Sequence, residues 1–372
     1  MLRSLLSSSA PLLLLLLLLL VTVSTQPADA WGHDGHRIVA QLAQNSLSST
    51  AWNAIQPYLP PGATGLPDIA TQPDSYAQST NGGWSLCLHY ANVNQTAVTF
   101  DSDHDCPGNC CVTKAIANYT SILMHNQSAH SFQSAQSITR LLHDPSSVLH
   151  QAAMLSSATG IDLDLSSVPA DAYSYIWRGV AKPSNYYELS AEERIAVSQL
   201  SSDYVPEPSS LSFLVHFVGD CHQPLHVSYA CDQGGNFVNV SIFEQDTELH
   251  FVWDSVMLDH YDPSWSSFAD DLQSYLDRHE HLYTQYTKDM SPESWANESL
   301  NYTRYDAYNF FLKSDYYPGY PGSTCPYPYW ANLEDDYYDA NIDTIKKRLS
   351  QGGVRLGHLL NTIFDPSYAA KH

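Results

Sequence analysis

Leu211-Ser212-Phe213-Leu214-Val215-His216-Phe217-Val218-Gly219-Asp220-Cys221-His222-Gln223-Pro224-Leu225-His226 is the stretch on which the reading of this chain turns. Residues 211 to 219 are mostly apolar and read as a buried helix. His216 and Asp220 stand four apart inside that run, so a helix puts an imidazole and a carboxylate on one face. Ionisable groups in so apolar a segment need a partner or a metal. His250-Phe251-Val252-Trp253-Asp254 repeats the spacing, and Trp31-Gly32-His33-Asp34-Gly35-His36 supplies further imidazoles far upstream. Zinc prefers imidazole nitrogen and carboxylate oxygen, and a multinuclear site draws such groups from several segments.

The first thirty residues stand apart from the fold. Arg3, nine leucines from Leu12 to Leu20, and a polar stretch ending Ala28-Asp29-Ala30 form the charged, apolar and small-residue parts of a secretory signal peptide. Cleavage is expected after Ala30, leaving residues 31–372 as a single soluble domain. Six sequons, at Asn94, Asn118, Asn126, Asn239, Asn297 and Asn301, fit a secreted, vacuolar or lysosomal glycoprotein. Seven cysteines in an oxidising compartment predict disulfides and one thiol left over. Cys106 and Cys111 close a short loop, and Cys221 and Cys231 flank the His-rich segment; all four are candidates, with the connectivity open. A net charge of −23 argues against a polyanion held by a basic patch. A phosphate-bearing partner must then be bound through metal ions or its bases.

Helical periodicity follows Trp31, with Ile38, Val39, Leu42 and Ala43 apolar. Residues 57 to 84 are rich in Pro, Gly, Ser and Thr and read as loop. Residues 112 to 124 read as helix. Val238, Val240 and Ile242 alternate in a strand or hairpin after Gly234-Gly235. Ile342 to Leu360 reads as helix, interrupted or bent at Gly352-Gly353. The economical reading is a mainly α-helical domain with a short β-hairpin and no internal repeat.

The start Trp-Gly-x-x-Gly-His, the string Phe-Leu-Val-His-Phe-Val-Gly-Asp-x-x-Gln-Pro-Leu-His and the later Leu-His-x-x-Trp-Asp resemble the zinc-dependent single-strand nucleases of fungi and plants, the S-one/P-one family. Ala115-Ile116-Ala117-Asn118-Tyr119-Thr120, Gly234-Gly235-Asn236, Gln351-Gly352-Gly353-Val354-Arg355-Leu356, and Pro73-Asp74 ahead of Leu88-His89 extend the similarity, in order, from Trp31 to about Phe364. The resemblance implies the zinc-dependent phospholipase C/nuclease-like fold and three zinc ions. One ion would be held by Asp74, His89, His216 and Asp220, and a second by His226, His250 and Asp254. The third would use the α-amino nitrogen and carbonyl of Trp31 with His36, sharing Asp220. A neutral terminal amine, of pKa about 8, is a suitable nitrogen ligand and exists only after signal cleavage. His33, His104, His222 and His260 fall off the pattern and are assigned solvated or structural roles.

The implied activity is endonucleolytic hydrolysis of single-stranded RNA and DNA to 5′-phosphorylated products, with 3′-nucleotidase activity, by a monomer without membrane attachment. Asp74 would orient the attacking water and Asn236 would stabilise transition-state charge. Tyr90 and Asn92 stand in the base pocket, where the family has Phe and Asp. Ala77 replaces a basic residue three positions after the matched aspartate, removing one phosphate contact. Additional chain relative to fungal members is expected within about 133 to 208, including Tyr173, Tyr175, Trp177, Tyr186 and Tyr187. Two rivals share part of the pattern. A zinc phospholipase C has Glu as its typical last ligand and a first His further from the terminal Trp. A catalytically weak, metal-stabilised binding protein would be consistent with Ala77 but has no need of nine filled ligand positions.

Overall fold

A computed structural model describes residues 31–130, 205, 207–312, 325, 330–333 and 335–370. The expected signal segment and most of the expected additional chain lie outside them. The described residues are mainly helical, as read from the sequence. Helices α1 (His33–Asn45), α2 (Ser49–Ile55), α3 (Gln72–Ala77), α4 (Val112–His130) and α5 (Ser210–His222) come first. α6 (Leu249–Phe251), α7 (Met257–Tyr261), α8 (Trp265–Arg278), α9 (His281–Tyr286), α10 (Pro292–Tyr302), α11 (Asp335–Phe364) and α12 (Pro366–Ala369) follow.

α5 is the central element. Its start is set by Ser209, whose side chain accepts from the Ser212 amide at 3.1 Å, capping the helix. Every residue from Leu211 to His222 is buried, as expected of a helix apolar on all sides. It is enclosed by α1, α4, α10 and α11. Its C-terminal carbonyls face cations: Arg348 Nε donates to the His222 carbonyl at 3.1 Å, and Glu298 pairs with both Arg348 and Arg355. Positive charge at a helix C-terminus offsets the helix dipole there.

α11 runs unbroken through Gly352-Gly353, against the interruption expected from the sequence. The glycines are there for proximity: a Cβ on Gly353 would lie 2.4 Å from Leu42 Cβ. Contact with α1 outweighs the roughly 1 kcal/mol that glycine costs inside a helix. Residues 57 to 84 also depart from the loop expectation. They contain α3 and short 3₁₀ turns at Leu66–Asp68 and from Gly83 onward, two of them with Pro at a first-turn position.

β1 (Ala91–Val93) and β2 (Val227–Tyr229) pair in parallel, Ala91 opposite Val227. β3 (Asn239–Ile242) lies between β4 (Gln245–Glu248) and β5 (Trp330–Asn332). β3 and β4 form the expected hairpin, with Ile242 opposite Gln245. Its two turn residues, Phe243 and Glu244, have φ of 52° and 60°. Such a turn matches strand twist but favours glycine or asparagine. Phe243 is held by stacking on His260 at 3.8 Å, whereas Glu244 is exposed. Glu244→Gly should therefore stabilise the fold by about 0.5–1 kcal/mol, a rise of roughly 1–2 °C in Tm. A calorimetric midpoint that stays put or falls would show that the turn is already relaxed.

Disulfides join Cys106 to Cys111, Cys87 to Cys110, and Cys231 to Cys325. Cys221, a disulfide candidate in the sequence, is instead a free, buried thiol. It sits in α5 facing α10, its Sγ 3.8 Å from the Pro292 carbonyl. It is the seventh cysteine that the odd count left over. Asn297, one of the sequon residues, is half-buried. Its Nδ2 donates to the carbonyls of Phe100 and Glu293, both at 3.0 Å, and its Oδ1 accepts from the Phe100 amide at 2.9 Å. The amide ties two segments together and offers no free face to a sugar. Asn94, Asn118 and Asn301 are exposed.

Candidate metal centre

Three segments deliver the first cluster. α3 carries Asp74, the turn Gly83–His89 ends on His89, and α5 presents His216 and Asp220 one turn apart. His216 Nε2 lies 3.1 Å from Asp74 Oδ1, 3.3 Å from Asp220 Oδ2 and 3.0 Å from His89 Nδ1. His89 Nδ1 lies 3.3 Å from Asp74 Oδ1 and 3.2 Å from Asp220 Oδ2. Each of these separations is close to the roughly 3.3 Å that divides two ligand atoms held about 2.0 Å from one zinc ion. His216 Nδ1 is 2.7 Å from the Ala70 carbonyl, which fixes the proton there and turns the Nε2 lone pair inward.

The second cluster joins the 3₁₀ turn Pro224–His226 to the helical run that starts at α6. His226 Nδ1 and His250 Nδ1 each lie 2.7 Å from a backbone carbonyl, of His89 and Gly234 respectively. With both protons so placed, the two Nε2 atoms face one another as acceptors at 3.1 Å. His250 Nε2 is 3.3 Å from Asp254 Oδ2. Two lone pairs at that separation repel unless a cation lies between them. The His250–Asp254 spacing is four, as read, but it crosses into a π-helical turn, Val252–Val256. Such turns recur at functional sites.

A third group surrounds Asp220, whose Oδ1 is 3.1 Å from His36 Nε2. His36 stacks on His216 with ring centroids 3.8 Å apart. Trp31 is fully buried, and the next residue's amide, Gly32 N, donates to the Asp254 carbonyl at 2.9 Å. The start of α1 is thereby joined to the second cluster.

The electrostatics call for cations. Both nitrogens of His36 and both carboxylate oxygens of Asp220 are buried without a hydrogen-bond partner. Burial and the neighbouring His216 push His36 down to about 4. Burial and His226 push His250 down to about 3, so both rings are neutral, the ligand form, at neutral pH. Burial also disfavours charge on His216, yet Asp220 and Asp74 hold it well above the usual histidine range. Two buried carboxylates therefore recruit positive charge even from an enclosed imidazole. Three groups of side chains can hold metal ions: His36-His216-Asp220, Asp74-His89-His216 and His226-His250-Asp254. A fourth grouping, Cys231-Asp232-Cys325, is closed by its disulfide.

The family model for the S1/P1 nucleases matches residues 31–163 and 189–365. The chain belongs to the S1/P1 nuclease family. This S1/P1 nuclease is a phosphodiester hydrolase, a single-strand endonuclease of mainly α-helical fold. The match leaves out 164–188, inside the stretch expected to be additional. Endonuclease 2 of Arabidopsis thaliana is 27% identical over 350 residues, covering 90% of each chain. Nuclease P1 of Penicillium citrinum is 25% identical over 90% of this chain and 97% of its own. Nuclease S1 of Aspergillus oryzae (strain ATCC 42149 / RIB 40) is 22% identical over 90% and 91%.

The remaining site candidates of this S1/P1 nuclease lie nearby in the chain. Tyr90 directly follows His89, and Asn92 is the middle residue of β1, opposite Ser228. Both are half-buried. Asn236 Nδ2 donates to the Gln233 carbonyl at 2.7 Å, which leaves its second N–H available. Ala77 is buried on α3, one turn from Asp74, and brings no charge. The off-pattern histidines divide as expected. His33, His104 and His260 are exposed, while His222 is buried, bonded to the Val218 carbonyl and to Arg355.

Gln223 was not singled out from the sequence. Its Nε2 donates to Asp254 Oδ1 at 2.6 Å while its Oε1 accepts from the Leu225 amide, so it braces one carboxylate of the second cluster. Its place in the Gln-Pro-Leu-His string was the only available signal. Gly219 is likewise structural to the site, because a Cβ there would lie 2.7 Å from His36 Nδ1. Gly219→Ala should displace His36, lower bound metal and reduce kcat/KM by roughly 10–100-fold with the helical circular dichroism unchanged. Unchanged metal content and rate would mean that His36 has room to spare.

Proposed function

We propose that the mature chain, beginning at Trp31, is a secreted, glycosylated, three-zinc endonuclease. It cleaves single-stranded RNA and DNA to 5′-phosphorylated products and removes the phosphate of 3′-nucleotides. The observation that carries this is the cluster of Asp74, His89, His216 and Asp220, with five ligand-atom separations between 3.0 and 3.3 Å. Zinc is favoured by the imidazole and carboxylate donor set and by separations that suit ligands of one small ion. Asp74, His89, His216 and Asp220 would hold one ion, and His226, His250 and Asp254 a second. His36, Asp220 and the amine and carbonyl of Trp31 would hold a third.

Zinc held by these residues would supply Lewis acidity toward the phosphate and an activated water. The chain's own residues do the rest. Asp74 keeps Oδ2 buried and unpartnered, so it can orient the attacking water and take up its proton. Asn236 can donate its free N–H to the phosphate as charge develops. Tyr90 can stack a base, worth about 1–3 kcal/mol, and Asn92 can bond the base edge. A base in such a pocket must leave its duplex stack, which favours single strands. With a net charge of −23 and Ala77 in α3, binding leans on metals and stacking rather than on lysine and arginine.

No helix among the described residues is long and apolar enough to cross a membrane. The leader and exposed sequons support passage through the secretory route to the exterior or a vacuole, as a monomer. The test is hydrolysis of single-stranded DNA, duplex DNA, 3′-AMP and phosphatidylcholine by the purified mature protein. Cleavage of the first and third, with 5′-phosphate ends on the DNA fragments, is expected. Phosphatidylcholine as the preferred substrate would reassign the site to a phospholipase. Zinc-loaded protein that cleaves none of them would make it a binding protein.

A further inference from the structure

We infer that Asn239 carries an N-linked glycan whose first sugar packs on an aromatic platform formed by Phe237 and Trp330. The outer sheet face bears the observations. Val238, Val240, Ile242 and Ala331 point into the core, so their alternating neighbours face outward. Phe237 is 56% exposed and Trp330 is 42% exposed, among the most exposed large apolar side chains described. Asn239 stands between them. It is two residues past Phe237 on the same face, and it lies directly opposite Trp330 in the parallel β3–β5 register. The β3–β5 pairing puts Trp330 about 4.8 Å from it, and Phe237 lies in the turn that leads into β3. Asn239-Val240-Ser241 is a complete sequon.

The chemistry of the face selects the occupant. Exposed aromatic rings could stack either a nucleic-acid base or the C–H face of a sugar. Glu248 lies opposite Asn239, and Asp246 opposite Ser241, on the other side of β3. These carboxylates repel a polyanion, but they accept hydrogen bonds from the hydroxyls of a neutral sugar. Asn297 shows the contrast: its amide is consumed by Phe100 and Glu293, whereas no side-chain hydrogen bond occupies Asn239 among the described residues. In the transfer, Asn239 Nδ2 bonds to C1 of the first sugar of a lipid-diphosphate oligosaccharide. The C1–O bond breaks, the diphosphate leaves with its electron pair, and the amide proton passes to the transferase.

The inference rests on the proposed secretory routing, and one experiment separates the two. The full chain is secreted from a eukaryotic host, and its glycopeptides are mapped by mass spectrometry. Glycan at Asn239 together with Asn94 or Asn118 is expected. An unmodified Asn239 beside an occupied Asn94 or Asn118 overturns the inference and leaves the routing intact; no glycan anywhere removes both. Trimming to a single sugar should leave Tm unchanged, whereas Asn239→Gln should lower it by roughly 2 °C. That loss should vanish in the Phe237→Ala/Trp330→Ala background. An equal loss in both backgrounds rejects the platform. So would an unglycosylated Asn239 with a raised KM for single-stranded DNA in the double variant, which would make the face a nucleic-acid platform.

Discussion

Asp220→Asn should remove two of three metal equivalents and lower kcat/KM on single-stranded DNA by about a thousandfold. The reason is that one carboxylate serves two clusters. Oδ2 is 3.2 Å from His89 Nδ1 and 3.3 Å from His216 Nε2, while Oδ1 is 3.1 Å from His36 Nε2. An asparagine of the same shape keeps one oxygen and turns a neutral amide, a donor rather than a ligand, toward the other cluster. It also deletes the negative charge that, with Asp74, holds positive charge on the buried His216. Metal catalysis contributes several kcal/mol of transition-state stabilisation, and about 4 kcal/mol corresponds to three powers of ten. Metal analysis and single-turnover kinetics on the same preparation check both halves. Retention of three equivalents with full activity would remove Asp220 from its bridging role.

The second large effect requires no substitution. A chain that starts one or more residues before Trp31 should bind about one metal equivalent fewer and turn over roughly 100-fold more slowly. Trp31 is fully buried, and Gly32 is pinned to the Asp254 carbonyl, so the proposed mature terminus is held beside the second candidate cluster. A preceding peptide bond turns a basic amine into an amide nitrogen without a usable lone pair. Comparing the two forms by zinc content and rate, with circular dichroism as the control for folding, decides the point. Equal zinc in the two forms would mean that the terminus is no ligand.

The candidate site was unusually legible in the sequence, for a chemical reason. His216, Asp220, His250 and Asp254 are ionisable residues at helical spacing among apolar neighbours, and such residues are rarely placed there without a ligand role. Cross-chain geometry was less legible. Nothing in local spacing says that Cys231 meets Cys325, ninety-four residues away, while Cys221 meets no cysteine. Gly352 and Gly353 carry the local signature of a break. Only the approach of Leu42 and Val39 shows why they lie inside one continuous helix. The π-turn at Val252–Val256 and the brace from Gln223 to the Asp254 carboxylate, thirty-one residues away, are also invisible to periodicity. Segment 57 to 84 misled because its Pro and Gly residues punctuate several short helical turns.

The short parallel pair β1–β2 has an outcome beyond holding two loops together. His89 ends two residues before β1, and His226 immediately precedes β2. The imidazole of His226 is oriented by the backbone carbonyl of His89 itself, at 2.7 Å. A candidate ligand of one site is thus aimed by the main chain of a candidate ligand of another. Filling either position orders the ribbon that both share, so the entropy lost at the first binding event is not lost again at the second. Coupling of that kind is worth 1–3 kcal/mol and acts equally in both directions. When zinc is scarce, the population should divide into fully loaded and empty molecules, with few half-loaded ones between them.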